Sequence, residues 1–539
     1  METVTKSPWK RLSSLLNLDK AAVTQLYLYA FFTGIISLSL PLGIQSVIHF
    51  IQGGQITTSW IVLVCLVIGG VILTGVLQIM QLKITENIQQ RIFVRYTFDF
   101  AYRFPRIDRL ALTDKIPSEL MNRFFEIMTL QKGIAKVLLD FSSSLLQILF
   151  SLVVLSFYHP FYIVFSLALV TLMYLIFKPI IRHGFQASLD ESKHKYKTAY
   201  WLQEIARADW SFRMIPNSTL ALNRLDEHAK NYLSSRDRHF KILWKQYSWM
   251  IGIKAIVVAS LLGLGGYLVI DQQMNLGQFV AAEVLILLLL ASVEKIIQLM
   301  ESLYDVFTSL EKLGQIEDLP MSYEENDKPI NKDEIFPIEV IDTSSQEATS
   351  VLKVDQGQHV FISGGHQLEV TLLLRQLIDP TCSDSMKPRW NNSIPTRTNL
   401  GVFLEQVGWF TQETHLFEGT LRENILIGRE KLTQTHLKQA LETVNMSLFV
   451  SQQNKGYEAN LTDAHRVISE VERELILIAR AVVHQPTLLL LSFHGSAIPA
   501  EERAELLTNI INNYPTTTIV CAAPTDSFIN KKQFTIHSL

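Results

Sequence analysis

The sequence predicts a two-part chain: an α-helical six-span transmembrane domain followed by a soluble α/β domain. Three observations carry this reading. Charge is nearly absent from three long stretches. The segments between those stretches are rich in Lys and Arg. The final third alternates short apolar strands with helical patterns.

The charge-free stretches come first in the chain. Ala21–Leu82 and Phe141–Phe177 contain no Asp, Glu, Lys or Arg, and Ala255–Val293 contains only Asp271 and Glu283. A membrane-crossing helix needs roughly 20 mostly apolar residues, so each stretch is long enough for a hairpin of two spans. The hairpin tips are Gln52–Ser59, Tyr158-His-Pro160 and Asp271–Gly277. Six spans are therefore expected near 24–50, 58–82, 138–157, 160–182, 249–270 and 278–300. The first stretch is too long for a cleaved signal sequence and runs directly into a second span. None of the tips carries Lys or Arg, whereas Lys83, Arg91, Arg95, Arg103, Lys178, Arg182 and Lys193 lie between the pairs. Positive-inside logic then places both termini and both long loops in the cytoplasm.

Composition limits the alternatives. The 539 residues are 48% apolar and 18% charged, against about 25% charge in an average globular chain, and mean hydropathy is +0.20. Gly 24, Pro 17 and Cys 3 exclude a collagen-like, low-complexity or disulfide-built chain. The 48 basic and 51 acidic residues leave a net charge of −3, which offers nucleic acid no footprint. Cys65, Cys382 and Cys521 are too scattered for a disulfide framework or a metal site.

Residues 1–20, with Trp9, Leu12, Leu15 and Leu16, suit a short interfacial elbow helix. Residues 21–318 form the expected membrane domain. Its charged segments, about 83–137 and 183–248, keep helical periodicity (Leu222, Leu225, Ala229 and Tyr232 share a stripe) and extend the spans beyond the bilayer. An acidic linker follows at 319–335, then an α/β domain at 336–539. Within that domain Val360-Phe-Ile362, Leu488–Leu491 and Thr518–Ala522 read as strands.

Local motifs in this last domain carry a family resemblance. Gln412-Glu-Thr-His-Leu-Phe-Glu-Gly-Thr-Leu-Arg-Glu-Asn-Ile425 is close to Q-x-x-x-L-F-x-G-T-I-x-E-N-I. Ile478-Ala-Arg-Ala481 precedes Pro486-Thr-Leu-Leu-Leu-Leu491, and Asn275–Ala281 and Leu310–Ile316 flank the sixth span. Together they resemble an ABC exporter half-transporter of the type I secretion or bacteriocin-exporter kind. The resemblance implies a P-loop-NTPase-like ABC cassette, an inner (cytoplasmic) membrane location and dimeric assembly. The partner would be a second copy or a different half-transporter, with a periplasmic adaptor possible.

The cassette departs from the family at its chemical positions. A P-loop holds phosphate with Gly-enabled N–H groups, a Lys charge and a hydroxyl on magnesium, in the order G-x-x-x-x-G-K-[ST]. Aligned without gaps, Gly364 takes the first Gly, Glu369 the second, Val370 the Lys and Thr371 the hydroxyl. The signature L-S-G-G-Q falls on Ile468–Glu472, of which Ser469 alone survives and Glu470 and Glu472 are acidic. The Walker B Asp and catalytic Glu positions read Ser492 and Phe493, and the switch-His position reads Ala523. No aromatic residue for stacking adenine lies between Pro337 and Leu352.

No catalytic residue and no metal site are therefore expected, and Gly364, Thr371, Gln412 and Ser469 are vestiges of a nucleotide site. ATP and magnesium enter only if the cassette keeps weak binding. The expected function is an ATPase-deficient dimeric scaffold, regulator or conduit of a transport or secretion assembly. The alternative is an exporter subunit working with a separate ATPase-competent half-transporter. Glu283, inside the sixth span, is the membrane-embedded candidate for a substrate- or proton-linked role.

Overall fold

The computed structural model describes the chain except for residues 1–6, 53–57, 114, 324–334, 343–348, 381–385, 392, 462–467, 526–528, 530–532 and 539, and without side chains at 52, 118, 175–182, 349 and 397–398. Residues 53–57 of the expected tip at Gln52–Ser59, most of the linker and Cys382 therefore lie outside the described residues. The chain divides into two compact units, Met1–Pro105 with Lys115–Leu319, and Arg106–Asp114 with Pro320–Leu539.

The first unit is helical. Pro8–Leu18 is a short amphipathic helix with Pro at its first position, where the missing N–H is not needed. Next come Lys20–Ser37 and Ser39–Gln52, interrupted at Leu38. Pro41 explains the break, because its ring clashes with the carbonyl four residues earlier, that of Ser37. Thr58–Arg103, Pro160–Arg207, Leu220–Ser260 and Leu276–Glu317 run 46, 48, 41 and 42 residues. At 1.5 Å per residue each is about twice the length needed to cross a hydrocarbon core.

Two of the expected tips are sharp. Tyr158 ends one helix and Pro160 starts the next, and the His159 ring accepts the Phe161 N–H at 3.2 Å. Asn275 caps Leu276–Glu317 through a reciprocal box with Gln278.

Among the described residues five helical segments are long and apolar enough to cross a membrane, and Pro160–Tyr174 forms a shorter apolar segment. The expected count was six. The difference falls at the fourth span, 160–182, where the helix continues but side chains 175–182 lie outside the description.

Polar side chains pair inside these helices. Gln81 donates to Thr33 at 2.9 Å, and Ser37 donates to Gln147 at 2.7 Å. Lys254 pairs with Glu294. Farther along the helices, buried Glu126 accepts from Lys195 at 2.9 Å and from the Tyr196 and Ser309 hydroxyls at 2.6 Å each.

The second unit is α/β. Strands β1 (Ile338–Asp342), β2 (Thr349–Val354), β3 (His359–Ser363), β4 (Met386–Trp390), β5 (Val407–Phe410), β6 (Leu488–Ser492), β7 (Thr518–Ala523) and β8 (Thr535–Ser538) form two sheets. One is antiparallel in the order β2-β1-β4, and the other is parallel in the order β5-β6-β7-β3-β8. β6 and β7 are buried at every position, as parallel strands covered on both faces must be.

The Arg106–Asp114 excursion interrupts the expected 21–318 domain. It joins the second unit because the Asp108 N–H donates to the Pro320 carbonyl at 2.9 Å and the Ser322 N–H to the Arg106 carbonyl at 2.7 Å.

Candidate functional site

The C-terminal end of β3 leads into Gly364 and Gly365, at φ +90° and +72°, and then into the helix Gln367–Gln376. This strand, glycine turn and helix form the shape of a phosphate loop. Its first helical turn is closed on itself. The Glu369 carboxylate accepts the His366 N–H at 3.1 Å, while the His366 side chain accepts the N–H of Glu369. Val370 is fully buried in the apolar core with Ile362, Leu374 and Leu490. Thr371 donates its hydroxyl to the Gln367 carbonyl at 2.8 Å, inside its own helix.

The helix Glu470–Val482 begins in the same way. Ser469 caps it by accepting the Glu472 N–H at 3.2 Å, and Glu472 returns to accept the Ser469 N–H and hydroxyl at 2.8 Å each. Glu470 pairs closely with Arg473. A carboxylate thus folds back over both helix N-termini, accepts the N–H of the cap residue and sits at the positive dipole end that an outside anion would use.

At the end of β6, Ser492 is buried and its hydroxyl has no hydrogen-bond partner among the described residues. Phe493 is 1% exposed, with its ring centroid 6.0 Å from that of Phe410 and 5.7 Å from the Arg503 guanidinium. His494, also buried, meets the Gly364 carbonyl through Nε2 at 3.1 Å. A carbonyl can only accept, so Nε2–H is the donor, and burial holds this imidazole below its ordinary pKa. Ala523 is fully buried at the end of β7, and its carbonyl accepts the Gly364 N–H at 3.3 Å.

Gln412 meets Glu474 rather than the glycine turn. Its Nε2 donates to the Glu474 carboxylate at 3.2 Å. Glu474 is 2% exposed and also accepts from Ser496 Oγ and from the Ala497 N–H at 3.0 Å.

The family-like text around Gln412 is held by fold contacts. Thr420 and Glu423 form a capping box, and buried Asn424 bridges the Phe417 N–H and carbonyl at 3.0 and 2.9 Å. Arg480 donates to the Asn424 and His415 carbonyls at 2.6 and 2.9 Å. Burial, followed by nearby Arg429, lowers its pKa to about 10.

The structure thus gathers Gly364, Thr371, Val370, Ser492, Phe493 and Ala523 around the parallel-sheet end, with Gln412 and Ser469 held in loops and caps beside the same core. Glu283 stands apart in the first unit, half-buried on Leu276–Glu317. Sequence reading missed Glu474 and His494, whose partners come from distant segments. It also missed the Lys254–Glu294 pair.

Comparison with known proteins agrees with this architecture. The chain superposes on the structure of a bacterial Atm1-family ABC exporter with ATP bound at a TM-score of 0.79 and 14% identity, covering 96% of this chain and 93% of that one. The chain thus has the fold of an ABC exporter, with apolar helices long enough to cross a membrane and an α/β cassette, and is similar over about three quarters of its length to ABC-exporter-type membrane transporters.

Among relatives, the ATP-dependent lipid A-core flippase of Desulfotalea psychrophila is 23% identical over 412 residues, 72% of this chain and 70% of the flippase. ABC transporter B family member 3 of Dictyostelium discoideum is 32% identical over 153 residues, 28% of this chain and 10% of that protein. The uncharacterized ABC transporter ATP-binding protein YfiC of Bacillus subtilis is 33% identical over 129 residues, 24% of this chain and 21% of YfiC. The chain thus spans only about a tenth to a fifth of these last two relatives. No family model matches the chain.

Proposed function

We propose that the chain is a six-span ABC-exporter-like membrane protein that works as a dimeric, ATPase-deficient scaffold, regulator or conduit of a transport assembly. Both termini would be cytoplasmic and the host membrane the inner one. The observation that carries this reading is the pair of self-capped helix starts. Phosphoryl transfer depends on positioning and on charge stabilisation by donors, a Lys and magnesium. Here the Glu369 and Glu472 carboxylates sit at the helix starts on the cap-residue N–H groups, Val370 replaces the cation, and Ser492 and Phe493 leave the metal and the attacking water without a carboxylate.

Assembly with an intact half-transporter does not simply repair this. In dimers of the kind the resemblance implies, each site combines the phosphate loop of one subunit with the signature of the other. One site would then lack the loop chemistry and the second would lack the signature.

The test is ATP turnover by the purified full-length chain in nanodiscs. Turnover at the protein-free background, unchanged by Thr371→Ala, is expected. Turnover that Thr371→Ala abolishes would sink the proposal. Chemical cross-linking in the same nanodiscs reads the dimer, and a strictly monomeric chain would remove that part of the reading.

A further inference from the structure

An apolar cavity of about 240 Å³ opens in the first unit between the Pro8–Leu18 helix, Lys20–Ser37, the Glu126–Phe141 segment and Leu276–Glu317. Its floor is buried and includes Ile134, Leu138, Leu299 and Met300. Its rim is aromatic and open: Trp9, Tyr27 and Phe141 are 59%, 43% and 42% exposed. Trp9 is held there by Phe307, with ring centroids 4.5 Å apart.

The local backbone shapes this opening. Val137–Phe141 is a turn of π-helix, and Val137, Leu138 and Phe141 all line the cavity. Such π-turns displace side chains from α-helical register and are frequent at functional sites.

The geometry points to a seat for one acyl chain of a bilayer phospholipid. Three features argue for that occupant. The lining offers water almost no hydrogen-bond partners, so a cavity of this size gains nothing from hydration. It straddles the ends of the expected first, third and sixth spans, through Tyr27, Phe141 and Ile296–Met300. At that depth the abundant apolar solute is the hydrocarbon chain of a lipid. Trp and Tyr at the mouth mark the headgroup boundary, where amphipathic rings concentrate.

The occupied seat fastens the elbow helix to the membrane domain through a shared lipid. It stands whether or not the cassette turns over ATP.

Native mass spectrometry of the full-length chain in mild detergent tests this seat. One phospholipid per chain is expected to survive detergent exchange. Occupancy should fall about tenfold when a larger ring fills the cavity in Leu303→Phe or, independently, Leu12→Phe. A second reading uses nanodiscs doped with phospholipid brominated in mid-chain. The Trp9-dependent emission, wild type minus Trp9→Phe, should be quenched at a lower bromolipid fraction than in either filled variant. Circular dichroism melting confirms that the compared variants are folded. The proposal is overturned if the wild type retains no phospholipid, if it retains detergent or free fatty acid instead, or if folded filled variants match the wild type in retention and quenching.

Discussion

Glu369 and His366 cap each other across the first turn of Gln367–Gln376, with the carboxylate 3.1 Å from the His366 N–H. The contact makes an acidic side chain part of the fold at a helix start shaped for an anion. Removing it should cost about 1 kcal/mol locally. Glu369→Ala should therefore raise amide exchange at residues 366–369 about fivefold, read by mass spectrometry on the full-length chain. Glu472→Ala should do the same at 469–472. Unchanged exchange in both would show that the boxes are not maintained in solution.

Glu474 is the buried carboxylate joining Gln412 to Ser496 and Ala497. Truncation leaves three donors without their acceptor, a loss of about 1–3 kcal/mol each way it is distributed. Glu474→Ala should expose the 411–418 and 495–499 segments together to limited proteolysis while cleavage in the membrane unit stays the same. Exposure of only one segment would show that Glu474 does not join them.

Some of this was legible in the sequence for clear physical reasons. Lipid tolerates few charges, so the apolar stretches announced the helices. Ser469-x-x-Glu472 has the spacing of a capping box and was a readable signal for the second self-capped helix. His366 is an unusual cap residue, so its box with Glu369 became visible only once the helix start was fixed. Glu474 and His494 were not legible, because each matters through a segment far away in sequence. The Arg106–Asp114 excursion was hidden for the same reason.

The preserved family text has its own explanation. Asn424, Thr420 and Arg480 are retained where they satisfy backbone groups. Val370, Ser492, Phe493 and Ala523, which the resemblance aligns with the phosphate-loop, metal and switch positions, are all buried. Arg480→Ala should destabilise the cassette by about 1–2 kcal/mol, since it leaves the half-buried Asn424 carbonyl and the exposed His415 carbonyl without a charged donor. Chemical denaturation followed by amide exchange within Leu421–Leu426 checks this.

Lys254 and Glu294 lie in the expected fifth and sixth spans and pair across two helices. Removing one member strands the other's charge near lipid, whereas removing both leaves an apolar contact. Glu294→Leu and Lys254→Met should each lower the melting temperature in nanodiscs, and the double variant should recover most of the loss. A coupling of about 1–2 kcal/mol is expected from the double-mutant cycle. Additive losses would mean that the pair contributes nothing jointly.

His484 sets a pH dependence for the cassette. Burial, reinforced by the nearby Arg429 charge, brings its pKa from 6.5 down to about 4. The unfolded chain binds this proton more readily than the folded one. The stabilisation is therefore present above pH 6.5, erodes as pH falls, and is lost by about pH 4. Between pH 7 and pH 5 the loss attributable to this residue is about 2 kcal/mol. Amide exchange within β6 should accelerate over that interval in the wild type. In His484→Gln, which has no proton to take up, the same interval should be markedly flatter. Equal acceleration in both proteins would assign the pH dependence to other groups.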